Sequence, residues 1–146
     1  MYRRGIDARA VCRDSDGRVL LVTDGDGRAV LPGGPVGHGE HPADAVARWT
    51  AVQTDAPLTV RRPLRVVTDL HRYRRGRFGS GWQHRDVIVF AGELGGPAPD
   101  NGQWVAEAHL DLHAVAAITA AALGFPVDPV EAPRPVSWAA MPARDG

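Results

Sequence analysis

Residues 31–57 read LPGGPVGHGEHPADAVARWTAVQTDAP, a glycine turn running straight into a helical pattern. Pro32, Gly33 and Gly34 stop the short apolar run Ala29-Val30-Leu31. From His41 the periodicity changes: Pro42 suits a first helical turn, and Ala45, Val46, Trp49, Val52 and Gln53 recur at helical spacing until Asp55-Ala56-Pro57 ends the run. The spacing predicts a helix over residues 41–53.

Working outward, residues 6–12 alternate towards apolar and β-branched types, Asp14-Ser15-Asp16-Gly17 is a turn cluster, and Val19-Leu20-Leu21-Val22 is a compact apolar run. This predicts a β-hairpin. A second turn, Asp24-Gly25-Asp26-Gly27, leads back to residue 29. Downstream, residues 58–70 predict a long strand that is bulged or broken at Pro63. Residues 71–83 (HRYRRGRFGSGWQ) read as a mobile, basic, aromatic-containing loop. Asp86-Val87-Ile88-Val89-Phe90 is the clearest buried strand, residues 92–102 a polar connection, and Gln103-Trp104-Val105 a short strand. An Ala-rich amphipathic helix is expected over 110–123, ended by Gly124. Five prolines after Phe125 (Pro126, Pro129, Pro133, Pro135, Pro142) mark residues 125–146 as a tail that wraps the surface or frays, leaving 1–124 as the domain.

The chain has 146 residues, with 17 Lys+Arg balanced by 17 Asp+Glu. That length buries a sufficient core without a staple. A net charge of zero argues against general nucleic-acid binding, which rests on excess Lys and Arg. The basic residues are all Arg, so lysine-based and Schiff-base mechanisms are excluded. Cys12 is the single cysteine, so no intramolecular disulfide forms, and the chain reads as intracellular. No stretch approaches the ~20 apolar residues of a membrane span and no secretory h-region is present, so a cytoplasmic location without membrane contact is expected.

Early strands joined by tight turns do not suit a doubly wound sheet; strand, strand, loop, helix, strand, strand, helix suggests a mixed α/β sandwich. Within that order, residues 31–57 resemble the signature of the Nudix hydrolase superfamily, Gly-x5-Glu-x7-Arg-Glu-apolar-x-Glu-Glu-x-Gly, with Gly34, Glu40 and Arg48 at their expected spacings. The resemblance covers residues 5–124 and implies an α/β fold, a Nudix-like α/β/α sandwich with a mixed sheet. It also implies a glycine loop that approaches a diphosphate and helix carboxylates, one turn apart, that share Mg²⁺. Here the pattern departs. Its first helix Glu is Trp49, the following pair is Val52 and Gln53, the closing Gly is Asp55, and Gly37 stands where a further glutamate is frequent. Indole and isopropyl groups do not bind Mg²⁺, and a glutamine amide is a weak neutral ligand. The resemblance therefore implies the fold more strongly than the usual reaction, and no bound metal or other cofactor is expected.

Candidate site residues follow. Glu40 is either a residual acid/base or a first-turn carboxylate favoured by the helix dipole. His38 and His41 bracket it, and with His84, at the start of the buried strand, they are the expected proton-transfer groups. Gly33, Gly34, Arg48, Trp49, Arg74, Arg75 and Trp82 are expected to line a small-molecule cleft, made more apolar by Trp49, Val52 and Val46. Metal ligation by His38, Glu40 and His41 is a lesser possibility. Glu93 follows the strand and reads as a loop carboxylate, with replacement of a lost base as the alternative. The expected function is small-molecule metabolism, biosynthetic steps included, by metal-independent acid/base chemistry. One alternative is a weak diphosphate hydrolase in which Glu40, Glu93 and substrate phosphates hold Mg²⁺. Another is a non-catalytic ligand-binding module. A homodimer is compatible with the resemblance.

Overall fold

The computed structural model describes residues 2–25, 27–74, 80–97, 99–100, 102–110, 117–124 and 134–136. Its elements are β1 (Tyr2–Cys12), β2 (Val19–Thr23), β3 (Ala29–Val30), β4 (Gly33–Pro35), α1 (Pro42–Thr54), β5 (Leu58–Arg74), β6 (Ser80–Leu94), β7 (Gly102–Val105), a 3-10 turn (Glu107–His109), α2 (Ala117–Ala122) and β8 (Arg134–Val136). A five-stranded sheet has the order β4-β1-β6-β5-β8, and a three-stranded sheet the order β3-β2-β7. Only β1 and β6 run parallel in the larger sheet, with Ile6 opposite Asp86 and Ala10 opposite Phe90. The architecture is α/β with a mixed sheet.

Alternation along β1 and β6 sorts the core into two layers. Ala8, Ala10, Cys12 and Phe90 face one way, where they meet Ala45 and Val46 of α1 and Leu20. Small residues on β1 let the helix come close. Val11, Val67, Val87 and Val89 face the other way, against Leu21 and Leu31 near the small sheet and Ala120 and Ala122 of α2. The larger sheet is thereby covered on both faces.

Several expectations are corrected. β1 and β2 are not a hairpin: they meet through one isolated bridge, Arg13 to Val19, and then enter different sheets. The turn itself forms, with Asp14 N–H donating to the Arg18 carbonyl at 3.0 Å, but both strands are buried on each face and separate to serve two layers. The hairpin is instead β2–β3, in which Val22 faces Val30. Gly33 and Gly34 do not end the sheet; they form β4 against Arg9 and Ala8. Residues 71–74 and 80–83, expected in a loop, extend β5 and β6, with His71 opposite Gln83 and Arg74 opposite Ser80. Backbone pairing there tolerates the Arg- and Gly-rich composition. Bulges between Val60 and Arg62 and between Pro63 and Arg65 accommodate the proline, as its position predicts. In the tail, β8 adds an edge strand to β5, a position that tolerates Pro135. The expected helix over 110–123 is described only in Ala117–Ala122. The rest of the tail, and residues 111–116, lie outside the described residues.

Candidate functional site

The helix start is built from its own sequence. His41 caps α1 by accepting the Ala43 N–H at Nδ1, 3.1 Å away, so its ring hydrogen sits on Nε2. Glu40 folds back to accept the Gly37 N–H at 3.0 Å and pairs in fork geometry with Arg48, both contacts at 2.9 Å. The Arg48 guanidinium, then the Gly37 N–H, holds the Glu40 carboxyl far below the usual range, at about 2. A carboxylate so held is a poor proton acceptor near neutral pH.

The three box positions on α1 have separate surroundings. Trp49 lies on Gly34, where a Cβ would stand 2.7 Å from the indole, and donates Nε1–H to the Pro35 carbonyl at 2.8 Å. Arg48 also stands over that ring, 5.0 Å from its centroid. Val52 is 74% exposed and so does not fill the cleft as expected; Val46 is fully buried in the core instead. Gln53 clamps Gly33: its Oε1 accepts the glycine N–H at 2.9 Å and its Nε2 donates to the glycine carbonyl at 2.9 Å. That carbonyl also receives Arg9 Nη1 at 3.1 Å. Gly33 is obligatory, since φ is +137° and a Cβ would collide with the Ala8 carbonyl. Asp55, at the closing position of the box, adopts φ 57°, the left-handed conformation that glycine takes more readily.

Beside the helix start, a cleft of about 610 Å³ is lined by Gly5, Ile6, Val36, His38, Glu40 and Pro42. Ile6 faces α1 with Ala8, and its register partner Asp86 lies on the same face of β6. His84 is two residues further along that face. Its Nε2 lies 2.9 Å from Asp86 Oδ1, which also accepts the Thr68 hydroxyl at 3.0 Å. A strand His-x-Asp places both side chains on one face, a period-two signal that would have paired His84 with Asp86 in the sequence. Thr68, across the strand pair, carries no such signal.

Of the other expected residues, Arg74 and Trp82 are placed by backbone, Arg74 opposite Ser80 and Trp82 between Tyr2 and Arg72. Arg75 lies outside the described residues. Glu93 pairs with Arg61 at 2.7 Å and lines a second cleft, of about 640 Å³, with Arg13, Arg18 and Trp104. That cleft is at the far end of β1 and β6, and roughly 20 Å of strand separates Gly5 from Cys12. Cys12 is buried, and burial pushes its thiol up to about 11. Among the described residues, no three His, Cys, Asp or Glu side chains gather to hold a metal ion. No helix among them is long and apolar enough to cross a membrane.

The NUDIX domain profile matches residues 3–129. Similar solved structures include the MutT protein from Methanosarcina mazei Go1, 20% identical over 80% of this chain and 88% of that one, with a TM-score of 0.59. The MutT NUDIX hydrolase from Burkholderia pseudomallei is 20% identical over 86% and 99% of the two chains, with a TM-score of 0.58. An ADP-ribose pyrophosphatase from Streptococcus suis 89-1591 is 18% identical over 81% and 87%, with a TM-score of 0.55. Among curated proteins no sequence match was found.

Proposed function

This chain belongs to the NUDIX domain family, and on that premise we propose that it is an enzyme of small-molecule metabolism working by proton transfer, without a divalent-ion cluster on α1. The single observation carrying this reading is the His84–Asp86–Thr68 chain on the sheet face next to the Ile6 cleft. Asp86 fixes the orientation of the His84 ring, the arrangement a histidine base needs. His38, on the wall of that cleft, is the second titratable group available to a bound molecule. A base on the sheet and an acid on the loop suit isomerisation, elimination or hydrolysis of a small organic substrate. The similar ADP-ribose pyrophosphatase supports a small metabolite as the substrate class.

The residues present do not fit Mg²⁺. That ion needs hard oxygen ligands in near-octahedral array. Trp49 and Val52 offer none, the Gln53 amide is spent on Gly33, and Glu40 is neutralised by Arg48. The alternative in which Glu40 and Glu93 share the ion is opposed by their placement, since they line clefts at opposite ends of β1 and β6. A thermal-shift screen of nucleotides, sugar nucleotides and aromatic metabolites, run in EDTA and in Mg²⁺, tests the reading. We expect a ligand that stabilises equally in both, and turnover that falls about 10²- to 10⁴-fold in His84→Gln with loss of one limb of the pH profile. Turnover abolished by EDTA, or unchanged in His84→Gln, contradicts it.

A further inference from the structure

We infer that Arg9 and Arg85, gathered on the carboxylate of Asp7, form a metal-free oxyanion-binding subsite on the face of the sheet turned away from α1. Odd-numbered residues of β1 and β6 point to that face, as Val11, Val87 and Val89 show, so Asp7, Arg9 and Arg85 share it. Asp7 is 7% exposed and nearly buried. Arg85 grips it with Nε and Nη2, and Arg9 Nη2 stands 3.8 Å from Oδ2, the oxygen that also accepts Arg85 Nε. Two guanidiniums therefore share one carboxylate. Arg9 is fixed further by Nη1, which donates to the Leu31 carbonyl at 3.0 Å and the Gly33 carbonyl at 3.1 Å. The cluster is not sealed, because the Arg9 and Arg85 side chains are 21% and 26% exposed.

The geometry of Arg85 points to a ligand. With Nε and Nη2 on Asp7, its Nη1 meets no acceptor among the described residues, and that nitrogen lies 3.2 Å from where a Cβ on Gly5 would stand. With no side chain at Gly5, none of the described residues fills the space a Cβ would take beside this end of the guanidinium. Burial, the largest cause, lowers the Arg9 pKa; Asp7 opposes it and Arg85, a smaller cause, adds to it. Asp24 also attracts Arg9, and Asp69 stands opposite Arg85 in register. Planar guanidiniums already held in place recognise oxyanions with little ordering cost. The Gly33 turn, which Gln53 reaches from α1, thus carries a fixed organic cation on its carbonyl. This assignment stands independently of the His84 reading, and the shared chemistry admits either a phosphoryl or a carboxylate group.

Titration with pyrophosphate and, separately, malonate in EDTA at physiological ionic strength, followed by side-chain ¹⁵N resonances of arginine, tests it. Shifts of the Arg9 and Arg85 Nε–H signals by pyrophosphate assign the subsite to phosphoryl groups; shifts by malonate alone assign it to carboxylates. Arg85→Gln is expected to weaken binding at least about tenfold, and Arg85→Lys less. Binding of neither probe, a requirement for added Mg²⁺, or shifts confined to residues other than Arg9 and Arg85 overturns the inference. That last reading uses the unaltered chain, so it stands even if a substituted protein fails to fold.

Discussion

Gln53 and Gly33 are joined by two reciprocal hydrogen bonds, each of 2.9 Å, one donated and one accepted by the same side-chain amide. A carboxylate at position 53 could accept from the Gly33 N–H but could not donate to its carbonyl. The amide is therefore the group that satisfies this turn. Gln53→Glu is expected to destabilise the protein by about 1–2 kcal/mol, because one bond is lost and two acceptors are set face to face. Urea denaturation of the two proteins measures it; equal midpoints would show the clamp to be inert.

Gly34 makes room for Trp49. A Cβ at 2.7 Å from the ring forces the indole away and breaks its bond to the Pro35 carbonyl. Gly34→Ala is expected to cost about 1–3 kcal/mol and to move the assigned Trp49 indole N–H resonance, with the other indole signals little changed. An unmoved signal would mean that the ring has space to spare.

The Glu40–Arg48 pair has an acid signature. The folded carboxyl titrates at about 2, below its ordinary value near 4.5, so the pair's contribution is complete above that ordinary value and is lost as pH falls towards 2. The melting temperatures of the protein and of Glu40→Gln should therefore differ by a constant amount above pH 5 and converge between pH 4.5 and 2. A gap that persists at pH 2 would remove the pair from the account.

Thr50 presents the opposite case. Its hydroxyl is buried in α1 with no hydrogen-bond partner among the described residues. Thr50→Val keeps the shape and removes the unmet polar group, and it should raise stability by about 1 kcal/mol. Calorimetry would register this as a Tm rise of roughly 3 °C. A lower Tm would indicate that the hydroxyl is satisfied.

Most of the layer order was legible in the sequence, since helical spacing from His41 and the Val87-Ile88-Val89 run are strong local signals. So was the bulge at Pro63. Pairing partners were not: a good turn at Asp14–Gly17 says that the chain reverses, and only burial of both strands on each face tells that they part into two sheets. Arginine and glycine at 71–74 and 80–83 imitate a loop because backbone hydrogen bonds between β5 and β6 are blind to those side chains. The site divides in the same way. Gly34, Glu40 and Arg48 were fixed by spacing, and His84 was found as a lone titratable group. Asp7, Arg9 and Arg85 were invisible, because alternating charges in a strand read as a wetted face until the register of β1 on β6 brings them together.

On the reading proposed above, the helix following the glycine turn holds structure rather than metal. Titration of Mn²⁺ into the protein, followed by paramagnetic broadening of backbone resonances, tests it most directly. We predict no saturable site tighter than millimolar and no selective loss of signal at residues 49–53. Two tightly held ions broadening Gly33, Trp49 and Gln53 would contradict it.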